Sequence, residues 1–300
     1  MEEIVNEDKI TKPRMHVALR IFLYLVAVLA GIALFQGVAY ALSEIKVTDL
    51  ADVTPSPFNK LLIEILSLVP LFAVTFVFRK YIDRKSFVSL GFAVKGRWKD
   101  LLLGLLVAVF MYTVGSLILV ATGNIVFSSL GIGIHALMLS VVTFIVVAIT
   151  EELMVRGYIL NNLLGSTSKF WALFISSVIF AAMHGMNPGI SFLALVNLFL
   201  AGVLLGATYI YTRNLWYAIS LHFFWNLIEG PVLGYHVSGN TTESFFSASP
   251  FGNALLSGGN FGFEGSIVCT LLTAILAAFI ILYYRKKEPG KGDITSANIQ

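Results

Sequence analysis

The sequence has little cysteine and little charge. Its single cysteine, Cys269, cannot form an intrachain disulfide, and a cysteine-based zinc site is excluded. Only 12% of the 300 residues are charged, whereas 57% are hydrophobic and the mean hydropathy is +0.85. A soluble core cannot hide that much apolar surface. These proportions argue against a soluble domain and predict a protein embedded in a membrane.

Long apolar runs predict an all-α, polytopic fold with about eight transmembrane helices. A helix needs about 20 apolar residues to span a bilayer. The first run is longer than the ~7–15-residue core of a signal peptide, so we expect a retained span and no cleavage. The eight runs lie at 17–42, 60–78, 100–121, 133–164, 169–187, 190–212, 214–233 and 263–284.

The placement of positive charge predicts the orientation. If all eight runs cross the membrane in turn, all but two of the 20 Lys and Arg residues fall on one side, and the exceptions are Lys46 and Lys60. Positive residues near span ends mark the cytoplasmic side, which predicts a multi-pass protein of the cell membrane with both termini cytoplasmic. These residues are not gathered on one exposed face, so we expect membrane lipids and no nucleic acid as partners.

The connectors divide the chain into regions of different expected roles. The last long connector has no Lys or Arg, and we expect a plain loop there, with a re-entrant cover as the alternative. The predicted regions are a cytoplasmic tail at 1–16, N-terminal transmembrane helices at 17–121, a catalytic transmembrane core at 133–233, an extracytoplasmic loop at 234–262, a last transmembrane helix at 263–284 and a cytoplasmic tail at 285–300.

Ionisable residues are scarce inside the apolar runs. Each is costly in lipid unless paired or hydrated, and so marks a candidate functional site. Every Asp lies in a tail, a connector or a span end, which argues against an aspartyl protease with paired intramembrane Asp, and neither Gly-x-Ser-x-Gly nor His-Glu-x-x-His occurs. The intramembrane candidates are Glu64, Glu151, Glu152, Arg156, His184, His222 and Glu229. Glu64 lies near a span end, and its side chain is expected to reach towards the membrane interface. Glu229 also lies near a span end, and whether its side chain does the same stays open.

Helical spacing groups most of these residues into three polar clusters. Glu152 and Arg156 are four residues apart and can pair on one helix face, while Glu151 is rotated by about 100° and can point elsewhere. The pairs Phe180/His184 and His222/Asn226 have the same spacing on two further runs. Counted along the helices, the clusters can meet inside the membrane nearer its cytoplasmic half. We therefore expect an intramembrane site that opens to the cytoplasm.

The three clusters resemble the motifs of the CAAX protease and bacteriocin-processing family (CPBP, also called Abi), which includes the type II CAAX prenyl endopeptidases. The family pattern is Glu-Glu-x-x-x-Arg, then Phe-x-x-x-His, then His-x-x-x-Asn, each on its own membrane helix. This chain matches every named position, over about residues 133–233.

The resemblance implies an intramembrane endopeptidase. It implies that Glu151 and His184 hold and activate a water molecule, that His222 and Asn226 polarise the carbonyl group, and that Glu152, Arg156 and Phe180 support them. The implied substrate is a hydrophobic or lipidated peptide or protein. No cofactor is favoured, although Glu151, His184 and His222 could ligate zinc with one position open.

Two other readings stay open. The chain could be a non-catalytic member of the same family, such as a bacteriocin immunity or scaffold protein that binds a partner without cleaving it. It could also be a proton-coupled transporter, in which the same groups relay protons along a polar path across the bilayer.

Overall fold

The computed structural model describes residues 15–43 and 55–287 as a bundle of helices. The predicted tails lie mostly outside the described residues, as does Lys46. Helices occupy all eight predicted runs, with ends displaced by a few residues in most of them. They are α1 Val17–Leu42, α2 Pro57–Val77, α3 Trp98–Ala121, α4 Ile134–Glu152, α5 Asn161–Leu164, α6 Lys169–Met183, α7 Phe192–Thr212, α8 Trp216–Leu227, the short α9 Ala254–Ser257 and α10 Ile267–Lys287.

Six of the helical segments in the described ranges are long and apolar enough to cross a membrane, and the chain has the all-α, polytopic fold that its composition predicts. The other two predicted spans form shorter helices. Helix α6 has 15 residues and ends just before the Gly185 to Gly189 stretch, which contains Pro188 and favours a turn. Helix α8 has 12 residues and lies inside the bundle against α3, α4 and α7, so most of its side chains meet protein.

Three helices continue into π-helical turns, which the apolar runs do not reveal. These turns cover Phe78–Ile82 after α2, Leu153–Leu160 after α4 and Ile228–Val232 after α8. All eight residues of Leu153–Leu160 are buried. Wider turns of this kind are frequent at functional sites. This one begins directly after Glu151 and Glu152.

Small residues allow the central helices to approach closely. A Cβ atom on Gly104 of α3 would lie 2.5 Å from the backbone nitrogen of Leu221 in α8. A Cβ atom on Gly202 of α7 would lie 2.9 Å from the Cα atom of Ser177 in α6. Large apolar side chains cover the outer surface instead, including Leu34, Leu117 and Phe279, as expected where helices face lipid.

The 234–262 connector is not the plain loop expected from its composition. Strand β2, Phe246–Pro250, pairs in antiparallel fashion with strand β1, Ile125–Ser129, so that Ile125 lies opposite Pro250 and Ser129 opposite Phe246. Short helical turns follow at Gly259–Phe261 and Phe263–Gly265. The side chain of Phe261 is 1% exposed and that of Phe263 is completely buried. The connector is therefore packed onto one end of the bundle.

Candidate functional site

Glu152 and Arg156 form the buried base of the site. The Arg156 guanidinium donates to Glu152 Oε1 at 2.7 Å and to the Gly202 carbonyl at 3.3 Å. Glu152 is completely buried and Arg156 is 1% exposed. A buried charge needs a partner, because removing one member of such a pair leaves the other uncompensated. The predicted pairing on one helix face is therefore present.

The Phe180 ring packs between the Arg156 guanidinium and the two histidine rings. Its ring lies 4.3 Å from the Arg156 guanidinium carbon, a cation–π contact that links α6 to the π-helical segment. The ring also lies 4.8 Å from the His184 ring and 6.3 Å from the His222 ring, measured between centroids. Phe180 thus packs against three polar motif residues at once.

Hydrogen bonds fix the orientation of both histidine rings. His184 directly follows α6, and its Nδ1 lies 2.9 Å from the Phe180 carbonyl oxygen. His222 lies on α8, and its Nδ1 is 2.9 Å from Glu152 Oε1. Both partners only accept hydrogen bonds, so each Nδ1 must carry the proton. The remaining ring nitrogen, Nε2, is therefore the free group on each histidine.

Glu151 lies where the two free nitrogens converge. Its Oε2 is 3.7 Å from His184 Nε2 and 3.9 Å from His222 Nε2. This oxygen has no hydrogen-bond partner among the described residues, although it is buried. The Glu151 side chain is 22% exposed, in contrast to the fully buried Glu152. The gaps suit a small polar molecule held between the three groups.

A cavity of about 430 Å³ reaches this cluster and is lined by α2, α4, α6, α7, α8 and the connector. It contains the Glu151, His184, His222, Phe180 and Asn226 side chains, so all four residues expected to be catalytic face one space. Asn226 lies one helical turn after His222 and is 6% exposed. Apolar residues such as Phe144, Leu198 and Leu204 form much of the remaining wall.

A further acidic group at the cavity wall, Glu264, was not among the residues singled out from the sequence. Glu264 accepts hydrogen bonds from Trp225 Nε1 at 2.8 Å and from the Ser238 backbone nitrogen and hydroxyl at 2.9 and 2.7 Å. It thereby fixes the connector against α8. A carboxylate within the glycine-rich start of the last apolar run was the available signal, but its partners lie far away in the sequence.

The structure also gives the positions of Glu64 and Glu229, the two remaining intramembrane carboxylates considered from the sequence. Glu64 was expected to reach towards the membrane interface, but its side chain lines the cavity because α2 packs against α4 there. Glu229 was ambiguous and is completely buried beyond α8. Of these two, only Glu64 lines the cavity that contains Glu151.

The cavity opens at a different end of the bundle from the one expected for a cytoplasmic opening. Its lining includes Tyr40, Pro55, Lys60, Asn187 and Asn240, which lie where α1 ends, where α2 begins and in the connectors after α6 and α8. These segments lie at the opposite end of the bundle from the arginine- and lysine-rich connectors. The expected cytoplasmic opening and the expected cytoplasmic termini are therefore incompatible. Residue positions along the helices do not show which end of the bundle is filled by side chains.

The possible metal ligands Glu151, His184 and His222 lie slightly farther apart than the ligands of a zinc ion. A tetrahedral zinc shell with bonds of about 2.1 Å has ligand atoms roughly 3.4 Å apart. The separations of 3.7 and 3.9 Å between Glu151 and the two histidines are wider. Within residues 15–43 and 55–287, no group of three or more His, Cys, Asp or Glu side chains is arranged to hold a metal ion.

Membrane-length helices around a cavity with buried glutamate, histidine and asparagine groups define a class of polytopic membrane protein with an intramembrane polar site. Residues 133–228 match the family model described as type II CAAX prenyl endopeptidase, Rce1-like. This match supports assignment of the region to the CAAX protease (CPBP) family and, in general, a CAAX-type intramembrane protease. The matched region includes all seven motif residues. No curated protein sequence matches the chain.

Proposed function

We propose that this protein is an intramembrane endopeptidase that hydrolyses a peptide bond in a hydrophobic or lipidated peptide or protein. The observation that carries the proposal is the position of Glu151 Oε2, which is buried without a hydrogen-bond partner in the described part of the chain and faces the free nitrogens of His184 and His222. Hydrolysis requires a water molecule held beside a base, and this arrangement provides both a carboxylate and an orienting nitrogen.

In the proposed reaction, Glu151 is the general base. A water molecule bound between Glu151 and His184 Nε2 attacks the carbonyl carbon of the peptide bond and transfers one proton to Glu151. The carbonyl oxygen becomes an oxyanion. Glu151 then gives that proton to the leaving amine nitrogen as the carbon–nitrogen bond breaks, which leaves a carboxylic acid and a free amine.

His222 and Asn226 are the proposed oxyanion donors. The Asn226 amide can only donate through its nitrogen and cannot act as a base. His222 Nε2 can donate when the ring carries its second proton, and the Glu152 carboxylate at Nδ1 stabilises that cation. The Glu152 carboxylate thus orients the His222 ring and stabilises its charged form, which is the physical role of the aspartate in a Ser-His-Asp triad. Each such donor is worth about 3–4 kcal/mol of transition-state stabilisation.

The apolar lining supports a hydrophobic substrate. Leucine, phenylalanine and alanine side chains of α4 and α7 border the catalytic groups, so an extended apolar peptide or a lipid chain can lie beside them. We propose that no metal ion takes part in catalysis. We further propose that the protein lies in the cell membrane with both termini cytoplasmic, in accord with the placement of its positive residues.

The cavity argues against the transporter alternative. Transport requires polar groups along a path from one side of the membrane to the other. The cavity that contains Glu151 and His222 is not lined by Tyr24 or Tyr158, and these two rings stack at 3.8 Å between centroids and are completely buried towards the positively charged end. Every motif position carries the residue of the family pattern, so no missing residue supports the non-catalytic alternative.

A cleavage assay with purified, detergent-solubilised protein tests the proposal. Fluorogenic peptides with hydrophobic or C-terminally lipidated sequences would be incubated with the wild type, Glu151→Ala and His184→Ala, with and without a strong chelator. We expect cleavage by the wild type that both substitutions abolish and the chelator leaves unchanged.

Other results would revise the proposal in defined ways. Loss of wild-type cleavage on chelation, with recovery on adding zinc, would replace the metal-free mechanism. A wild type as inert as both variants on every peptide, with a partner protein that still co-purifies, would favour the binding-protein alternative.

A further inference from the structure

The catalytic cavity has one accessible end among the described residues. Asn240 lies exposed at its rim, and Lys60 donates a hydrogen bond to the Thr241 carbonyl there, which joins the start of α2 to the connector. A second hollow of about 310 Å³ adjoins this rim between α2, α4 and the connector, and includes Thr241 and Glu243. Both hollows therefore lie towards the end of the bundle that carries the β1–β2 sheet.

The other end is filled by packed side chains. Tyr24 of α1 stacks on Tyr158 at 3.8 Å between ring centroids, and both are completely buried. Beside them, the buried Asp83 carboxylate forms an ion pair with Arg20 at 3.0 Å and accepts a hydrogen bond from Arg79 at 3.2 Å. This cluster ties α1, the end of α2 and the π-helical segment together. It separates Glu151 from the connectors at that end.

Positive charge identifies the two ends. The filled end has Lys80, Lys85, Lys95, Lys99, Lys169, Arg213, Arg285, Lys286 and Lys287 at or near its helix termini. Among the described Lys and Arg residues, Lys60 alone lies at the accessible end. Because positive residues flanking spans accumulate on the cytoplasmic side, the filled end faces the cytoplasm.

We infer that the site takes its substrate from the extracytoplasmic side of the membrane. This inference rests on the proposed peptidase function and narrows its substrate class. The substrate is an exported polypeptide, or the extracytoplasmic end of a membrane-inserted one, that enters through the rim around Lys60 and Asn240. The lipidated C-terminus of a protein that remains in the cytoplasm would meet the filled end and could not reach Glu151.

Paired cysteine reporters test the orientation directly. The native Cys269 is buried and would be replaced by alanine to give a cysteine-free background. Thr241→Cys then places a thiol at the rim, and Thr167→Cys places a matched thiol at the other end between α5 and α6. Both threonines are exposed. Intact cells that make each variant would be treated with a membrane-impermeant maleimide, before and after permeabilisation.

We expect Thr241→Cys to be labelled in intact cells and Thr167→Cys only after permeabilisation. The reverse pattern, or equal labelling of both in intact cells, would overturn the inference. Labelling needs no cleavage, so it remains readable if the protein proves to have no peptidase activity, which the peptide assay reports separately.

The same pair locates the entrance. In detergent, a bulky maleimide on Thr241→Cys should abolish peptide cleavage, whereas the same adduct on Thr167→Cys should leave it unchanged. Inhibition by the Thr167→Cys adduct alone would overturn the assignment of the rim as the entrance.

Discussion

Adjacent carboxylates at positions 151 and 152 have opposite surroundings. Glu152 is enclosed and bonded to Arg156 and His222, whereas Glu151 faces the cavity. The sequence predicted this separation, because consecutive helical residues point about 100° apart. It did not predict that Glu152 would also orient His222, since that contact joins residues 70 positions apart.

Arg156 should be more important for stability than its exposed counterparts. Arg156→Met leaves the Glu152 carboxylate buried with only the His222 ring as a hydrogen-bonding partner. We expect a loss of about 3–5 kcal/mol in the free energy of unfolding, the usual cost of breaking a buried pair from one side. Thermal unfolding of the detergent-solubilised protein would measure it.

The matched control removes both charges. The double variant Glu152→Leu/Arg156→Met should be more stable than Arg156→Met alone, because no uncompensated charge remains. A double variant that is no more stable than the single one would contradict the assignment of the buried pair.

Asn226 should act on the transition state and not on substrate binding. We expect Asn226→Ala to lower kcat by roughly 10²–10³, the cost of one oxyanion donor, with little change in KM. Asn226→Asp should do no better, because a carboxylate cannot donate. Steady-state peptide cleavage measures both; a raised KM at unchanged kcat would make Asn226 a substrate-binding residue instead.

At the scale of helices and strands, uniform apolar runs gave the positions of elements but not their irregularities. The 133–164 run has the same composition before and after Glu152, so nothing in it marks the change from α-helix to π-helix at Leu153. The 234–262 connector was misjudged for a related reason. Its order comes from pairing with β1 and from Glu264, and both are long-range contacts.

A side chain at position 202 should lower the free energy of unfolding. Gly202→Ala places a methyl group against the Ser177 backbone at the α6–α7 contact, and overpacking of this kind costs about 1–3 kcal/mol. Gly37→Ala in α1 is the control, because nothing lies within 4 Å of a Cβ atom there. That change should be neutral or stabilise by up to about 1 kcal/mol. Equal unfolding temperatures for the two variants would contradict the close packing.

Glu264 should control the shape of the cavity wall. Glu264→Leu leaves Trp225 Nε1 and the Ser238 backbone nitrogen without their acceptor, so the 236–242 stretch should loosen. We expect a raised KM, a smaller change in kcat and faster proteolytic cutting of the connector. Glu243→Leu, on an exposed position of the same connector, is the control. Identical behaviour of the two variants would remove the assigned role of Glu264.

For the whole molecule, the sequence predicted the class of fold and the meeting of three polar clusters. Lipid imposes strong rules on composition, so apolar runs and the few buried ionisable residues were informative. The sequence did not reveal that a cytoplasmic opening and cytoplasmic termini are incompatible, because this depends on which helix ends are filled by side chains such as Tyr24 and Tyr158. Of the eight predicted spans, six form helical segments of membrane length in the described ranges, whereas α6 ends early and α8 is short and enclosed by protein.

Two glutamates that line the cavity provide the most direct test of Glu151 as the general base. Peptide cleavage would be measured for the wild type, Glu151→Gln and Glu64→Gln, with unfolding temperatures to verify that each variant is folded. We expect Glu151→Gln to lower kcat/KM by about 10²–10⁴, the usual contribution of a general base, and Glu64→Gln to lower it far less. A folded Glu151→Gln protein that cleaves as fast as the wild type would contradict this role of Glu151.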